Sequence, residues 1–224
     1  MPSLFPTLAT PVEQLAEGAV LLRGFALADA TDLIDAIHSV ALVAPFRHLV
    51  TPGGQRMSVA MTNCGDVGWV SDDHGYRYDA TDPETGLRWP TLPPRFLALA
   101  SRAASAAGFP EFLPDCCLVN RYDPGARLTL HQDRNERATV APIVSVSLGL
   151  PATFLFGGLT RSAPAARFQV EHGDVAVWGG PARMRFHGVL PLPDGEHPAT
   201  GRLRFNLTFR EAVRCRNGAP EGEV

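Results

Sequence analysis

Arg204-Phe205-Asn206-Leu207-Thr208-Phe209-Arg210 alternates strictly between large apolar and polar residues, and a period of two is the mark of a β-strand. One face carries Phe205, Leu207 and Phe209; the other carries Arg204, Asn206, Thr208 and Arg210. On pattern alone the polar face is an ordinary exposed one. In a jelly roll, however, the apolar face can pack outward on helices while the polar face lines the barrel. Two buried guanidinium groups then require anionic partners, and a dicarboxylate is such a partner. Comparable short runs come before it: Cys117–Tyr122, Arg127–Asp133, Ile143–Leu150, Ala152–Gly158, Arg167–Glu171, Val175–Gly179 and Arg185–Val189. Turns such as Asp123-Pro-Gly-Ala126 and His172-Gly-Asp174 separate them, so the spacing predicts an antiparallel sandwich or jelly roll.

Outward from this β-rich half the pattern changes. Residues 19–43 read as a short strand and then a helix, started by Asp29 or Thr31, with Leu33, Ile34, Ile37, Val40 and Ala41 on its apolar face. Pro93 and Pro94 open a second helix that Gly108 closes, consistent with Pro in the first turn and Gly at C′. Between the helices, residues 44–92 are rich in Gly, Pro, Asp and aromatics with only short strand-like pieces, and long ordered loop regions usually carry function. The units expected are a strand–helix extension (1–45), a loop-rich segment (46–92), a β core with its supporting helix (93–214) and a disordered tail (215–224).

The 224 residues, 45% apolar and 19% charged, suffice for one core with an appendage and exclude a repeat array. All 20 basic residues are Arg, which is also what a codon bias produces. Net charge is -3, but residues 1–120 carry 7 Arg against 13 acids and residues 121–216 carry 13 Arg against 8 acids. The overall charge gives no non-specific affinity for nucleic acid, although a local basic face in the second half can meet phosphate. Cys64, Cys116, Cys117 and Cys215 form no C-x-x-C pair and read as reduced thiols. No 18 apolar residues run together and the N-terminus has no basic n-region, so a cytoplasmic protein with no membrane association is expected.

Residues two apart on a strand face the same way, so His131 and Asp133 in Leu128-Thr-Leu-His-Gln-Asp133 converge on one side. That pair alone is common near turns and needs a third ligand. His187, in Arg185-Phe-His-Gly-Val189, is the candidate, because Gly188 permits a close approach of backbone or ligand; a lone His there is otherwise an ordinary core residue. His38 falls in a helix, His172 in a turn, and His48, His74 and His197 in loops. Two His and one carboxylate make the facial triad of non-haem Fe(II) oxygenases. Asn120 and Tyr122, two apart on one strand, add donors that can face the same cavity or serve as turn and cross-strand residues.

From Leu21 to Arg210 the chain resembles the AlkB family of Fe(II)- and 2-oxoglutarate-dependent dioxygenases. The matching pieces are Phe46-Arg47, Thr51-Pro-Gly-Gly54, Met57–Gly65, Asn120-Arg-Tyr122, His131-Gln-Asp133, Pro142–Pro151, His172-Gly-Asp174 and Arg204–Arg210. The resemblance implies a mostly β fold with flanking α, a double-stranded β-helix (jelly roll) core, and a nucleotide-recognition lid over 46–92. It implies Fe(II) on His131, Asp133 and His187, with 2-oxoglutarate and O2 as co-substrates. Arg204 would pair with one carboxylate of 2-oxoglutarate and Arg210 would stand near its chelating end, with Asn120, Tyr122 and Asn206 completing the pocket. Trp69 would face His131 across a flipped base, with Tyr76, Thr51 and Arg161 near the nucleotide backbone and Tyr78 in the same lid. The implied activity is oxidative demethylation of 1-methyladenine and 3-methylcytosine in DNA, mainly single-stranded, with formaldehyde released, by a monomeric enzyme. Methylated RNA as main substrate, and a non-catalytic module binding alkylated nucleic acid, are the alternatives. One departure stands out: a bacterial member carries an acid two positions after the metal aspartate, where this chain has Asn135, which can accept a hydrogen bond but offers no charge to a cationic base.

Overall fold

The computed structural model describes residues 11–136 and 139–213, so the tail expected over 215–224, with Cys215, lies outside the described residues. The elements run β1 (Val12–Ala16), β2 (Ala19–Leu22), α1 (Ala30–Val43), β3 (Ala60–Gly65), β4 (Gly68–Asp72), β5 (Gly75–Asp79) and α2 (Pro94–Ala106). They continue with β6 (Cys116–Tyr122), β7 (Leu128–His131), β8 (Ile143–Gly149), β9 (Ala152–Phe156), β10 (Ala166–Val170), β11 (Val175–Trp178), β12 (His187–Val189) and β13 (Arg204–Arg210). A seven-stranded antiparallel sheet has the order β1-β2-β11-β8-β13-β6-β3, a four-stranded one the order β10-β9-β12-β7, and β4 and β5 form a separate hairpin.

The larger sheet has two faces with different partners. Val144 and Val146 of β8, Cys117 and Val119 of β6, and Phe205, Leu207 and Phe209 of β13 pack against Leu33, Ile37 and Val40 of α1 and Phe96, Leu99 and Ala103 of α2. The residues between them point the other way, into the space between the sheets, where Tyr122, Ile143, Phe154, Phe156 and Trp178 form a second cluster. The alternation of β13 therefore does what a jelly roll requires: its apolar side packs outward on helices, its polar side faces the barrel, and all seven residues are buried. Each large apolar side chain so buried contributes about 1.5–3 kcal/mol.

Two strands depart from the sequence pattern. β1 pairs with β2 at the sheet's edge, although Val12–Ala16 is half exposed and shows little alternation. β3 lies within the loop-rich segment 46–92, yet it extends the large sheet by pairing with β6 from Ala60 opposite Arg121 to Gly65 opposite Cys116. That segment is thus stitched into the core through β3, while the loop around Thr51 and the β4–β5 hairpin lie outside the large sheet.

Candidate active site

β7 and β12 are antiparallel neighbours, and their register sets His131 directly opposite His187. Gly188 makes this possible, since a Cβ there would sit 2.7 Å from the Leu128 carbonyl oxygen. β7 ends at His131, so Asp133 lies just past the strand instead of on it, as the two-residue spacing had suggested. Its carboxylate is drawn back by Arg210, whose Nε and Nη2 donate to Oδ2 at 2.9 and 2.6 Å. One ligand atom each from His131, Asp133 and His187 lies within 4.8 Å of the others. His131 Nε2 and His187 Nε2 each stand 3.8 Å from an Asp133 oxygen.

The second nitrogens fix the tautomers. His131 Nδ1–H donates to the Thr129 carbonyl at 2.8 Å and His187 Nδ1–H to the Arg185 carbonyl at 3.1 Å, which leaves both Nε2 lone pairs directed to the triad. Burial pushes the His187 imidazole down to about 3, with His131 adding to the effect, so it is neutral at physiological pH, the form that ligates a metal. Burial alone would raise the Asp133 carboxyl, but the Arg210 guanidinium, with His187 and His131, holds it well below the usual carboxylate range. Two imidazoles and one carboxylate on a single face are a donor set suited to Fe(II).

Beneath the triad a cavity of about 50 Å³ is lined by Asn120, Tyr122, Arg204, Asn206, Thr208 and Arg210 together with both histidines. Arg204 Nη2 donates to Ser147 Oγ at 3.0 Å, and its guanidinium lies 4.8 Å from the Tyr122 ring centroid. Its Nε and Nη1 are buried with no hydrogen-bond partner among the described residues, as is Arg210 Nη1. Burial lowers the Arg204 pKa, so the pocket holds a cation that lacks an anion. A carboxylate supplies it, and the residues present therefore fit 2-oxoglutarate. Asn206 is held by its amide to Ser145 and the Val146 carbonyl, and it accepts from Asn120 and Thr208.

Above the triad opens a cleft of about 710 Å³ lined by His131, Asp133 and Arg210 at its floor and by Thr51, Trp69, Tyr76, Asn135 and Arg161 on its walls. Trp69 and Tyr76 lie on the two strands of the β4–β5 hairpin and stack at 5.6 Å between centroids, 15° from parallel. Asn135 Nδ2 donates to the Tyr76 carbonyl at 3.5 Å. Arg56, Arg127 and Arg134 join Arg161 around the cleft, which makes its rim cationic. Tyr78 is not among the lining residues: its hydroxyl donates to Glu136 Oε1 at 2.7 Å inside the protein.

That contact belongs to a network with no sequence signal. Glu136 accepts from Arg183 Nη2 at 3.1 Å and lies 3.3 Å from Arg210 Nε, while Arg183 Nη1 donates to the Asp133 carbonyl oxygen at 2.7 Å. Asp133 is thus gripped by two guanidinium groups, at its carboxylate and at its backbone, and Glu136 balances both. Nothing in an isolated Glu or Arg announces such partners, because they are 47 residues or more apart.

Comparison with known proteins agrees with this site. The profile of the 2OG-Fe(II) oxygenase superfamily matches residues 18–210. The chain is 56% identical to the alpha-ketoglutarate-dependent dioxygenase AlkB of Salmonella typhimurium, covering 95% of this chain and 99% of that protein. It is 58% identical to the protein of the same name from Escherichia coli, covering 89% and 93%. Among solved structures it is similar to OsALKBH1, with a TM-score of 0.80 at 30% identity over 90% of this chain and 100% of the other.

Proposed function

The chain belongs to the 2OG-Fe(II) oxygenase superfamily, and from that premise we propose how its residues divide the work of demethylating an alkylated nucleic acid. It is a 2-oxoglutarate-dependent dioxygenase of the AlkB type, so the reading as a non-catalytic binding module falls. His131, Asp133 and His187 hold Fe(II), and Arg204 receives the distal carboxylate of 2-oxoglutarate, with Asn120, Tyr122 and Asn206 shaping the pocket. Bound there, Fe(II) with 2-oxoglutarate and O2 supplies the oxidising power that hydroxylates the N-alkyl carbon and yields succinate and CO2. The hydroxymethyl product on nitrogen is a hemiaminal, which loses formaldehyde to give the repaired base.

The chain's own contribution is placement. Arg210 keeps Asp133 ionised and aimed at the triad; the Nδ1 bonds of the two histidines hold their rings in the ligating tautomer. Trp69 stacks on the extruded base over His131, and Tyr76, Thr51 and Arg161 meet the backbone, together forming the lid. Stacking on an aromatic face replaces the base stacking lost on extrusion at about 1–3 kcal/mol per base. Asn135 accepts from the exocyclic amine without adding charge. The substrate is DNA carrying 1-methyladenine or 3-methylcytosine, single-stranded by preference, and the enzyme works as a monomer in the cytoplasm. No helix among the described residues is long and apolar enough to cross a membrane.

The observation that carries this reading is that a buried Arg204 with unpartnered donors, a two-His-one-carboxylate triad and an aromatic-walled cationic cleft adjoin one another, the two cavities sharing His131 and Arg210 in their linings. Its test is incubation with Fe(II), 2-oxoglutarate and O2 and a single-stranded oligonucleotide bearing one 1-methyladenine or 3-methylcytosine, followed by mass. Loss of the methyl group with formaldehyde release is expected, and the ratio between the lesions reads Asn135. Succinate without loss of methyl would sink the substrate assignment, and a matched RNA oligonucleotide turned over faster would move it to RNA.

A further inference from the structure

We propose that Asn63 is the positioning residue of the base-stacking platform: its side-chain amide stands in for a missing β-strand and fixes the Trp69 peptide over the cleft. The proposal rests on the stacking role given to Trp69 above. β4 pairs on one side only, with β5, and Trp69 lies opposite Tyr78 in that pair. The N–H and C=O of a single residue point to the same side of an antiparallel strand, and those of Trp69 point away from β5. Unpaired, they would be an open edge. Asn63 Nδ2 donates to the Trp69 carbonyl at 3.0 Å and the Trp69 N–H donates to Asn63 Oδ1 at 3.0 Å, so one amide satisfies both groups as a neighbouring peptide would.

The surroundings make the bond rigid. Asn63 is 3% exposed and sits on β3, the strand at the far edge of the large sheet, where its own position is set by pairing with Leu118 of β6. Gly68, just before Trp69, leaves no space for a side chain: a Cβ there would meet Trp89 at 2.4 Å and Asn63 at 2.8 Å. Trp89 in turn donates its indole N–H to the Asp79 carbonyl at 2.9 Å, tying down the far end of β5. The hairpin has further anchors at Ser71, which donates to the Val50 carbonyl, and at Tyr78 through Glu136. Loss of Asn63 therefore leaves the hairpin attached and frees the Trp69 peptide to shift.

The test compares wild type with Asn63→Ala and with Asn63→Asp, which keeps the shape and the acceptor but sets a carboxylate against the Trp69 carbonyl. The KM for the methylated oligonucleotide should rise about tenfold in both while kcat at saturating oligonucleotide changes less than about twofold, the split expected when a binding surface is displaced. Amide exchange at Trp69, read without substrate or iron, should speed up in Asn63→Ala, which removes the acceptor of its N–H, and less in Asn63→Asp, which keeps it, while that of β6 and β13 stays slow. Unchanged KM with unchanged Trp69 exchange overturns the proposal. So does a loss of kcat and melting temperature with no change in KM, which marks a merely structural residue. A wild-type enzyme that leaves the methylated oligonucleotide intact overturns the substrate reading instead, and Trp69 exchange then decides for or against the clamp by itself.

Discussion

At the residue scale, the metal ligands differ in what their removal costs the fold. The His131 side chain is 36% exposed, and both its hydrogen bond to Thr129 and its contact with Asp133 are local, so His131→Ala should abolish turnover and metal binding while moving stability by less than about 1 kcal/mol. Asp133 is buried against Arg210 and cannot be removed so cheaply. Asp133→Ala strands that guanidinium beside Glu136 alone and should cost about 3 kcal/mol in urea unfolding as well as all activity. Metal titration and urea melts of the two variants check this together; full activity in either, in a metal-verified assay, would remove the triad from the chemistry. Arg204 separates from both, because two of its donors are buried with no partner among the described residues. Arg204→Ala should raise the 2-oxoglutarate requirement about tenfold to hundredfold, the size of hydrogen bonds to a charged group, with a much smaller effect on the oligonucleotide KM. Equal changes in both constants would contradict the pocket assignment.

At the scale of elements, the turn after β5 is pinned to the sheet through Arg47, which pairs closely with Asp82 and more loosely with the exposed Glu84. Arg47, bridged by its backbone to Met61 in β3, donates through Nη1 and Nη2 to the two oxygens of Asp82 at 2.5 and 2.7 Å. Burial raises the Asp82 carboxyl, but the Arg47 bonds outweigh it and the folded value lies below the ordinary one. A depressed carboxyl contributes stability above its unfolded value, near 4, and loses it as pH falls through the folded value. Asp82→Asn should therefore cost about 1–3 kcal/mol at pH 7, with the gap to wild type closing only below about pH 5. A gap that stays constant to pH 3 in urea melts would deny the ion pair its role. The elements best read from sequence were those with one dominant periodicity. β13 and the apolar face of α1 were legible because burial on one side writes a pattern of 2.0 or 3.6 into the chain. β1 escaped because an edge strand half exposed to water has no such contrast, and β3 because its one neighbour in the sheet, β6, is remote in sequence. The triad was legible because His131 and Asp133 stand two apart and His187 sits beside a Gly, although Asp133 lies just past the end of β7. The Glu136–Arg183 grip and the Asn63 clamp were not, because each joins side chains to groups that only the folded chain brings near.

At the scale of the whole molecule, the two pockets are built from both sheets. His131 and His187 come from the four-stranded sheet, whereas Asn120, Tyr122, Arg204 and Arg210 come from the seven-stranded one, so the triad and the lower cavity draw on both walls of the barrel. No such site exists in the unfolded chain, and any ligand that binds only the folded form stabilises it by mass action. With Mn(II) as a redox-silent stand-in for Fe(II), each ligand at about a hundred times its Kd should add about 2.7 kcal/mol. For a domain of this size that is roughly 5–10 °C in melting temperature. Because Arg204 touches the dicarboxylate pocket and not the triad, Arg204→Ala should keep the rise given by Mn(II) and lose most of the further rise given by 2-oxoglutarate. His131→Ala should lose the first and, with it, the part of the second that depends on chelation. Differential scanning fluorimetry of the three proteins with metal alone, co-substrate alone and both separates these cases without any turnover. If 2-oxoglutarate stabilises Arg204→Ala as strongly as wild type, the unpaired guanidinium is not its receptor and the lower cavity must be assigned anew.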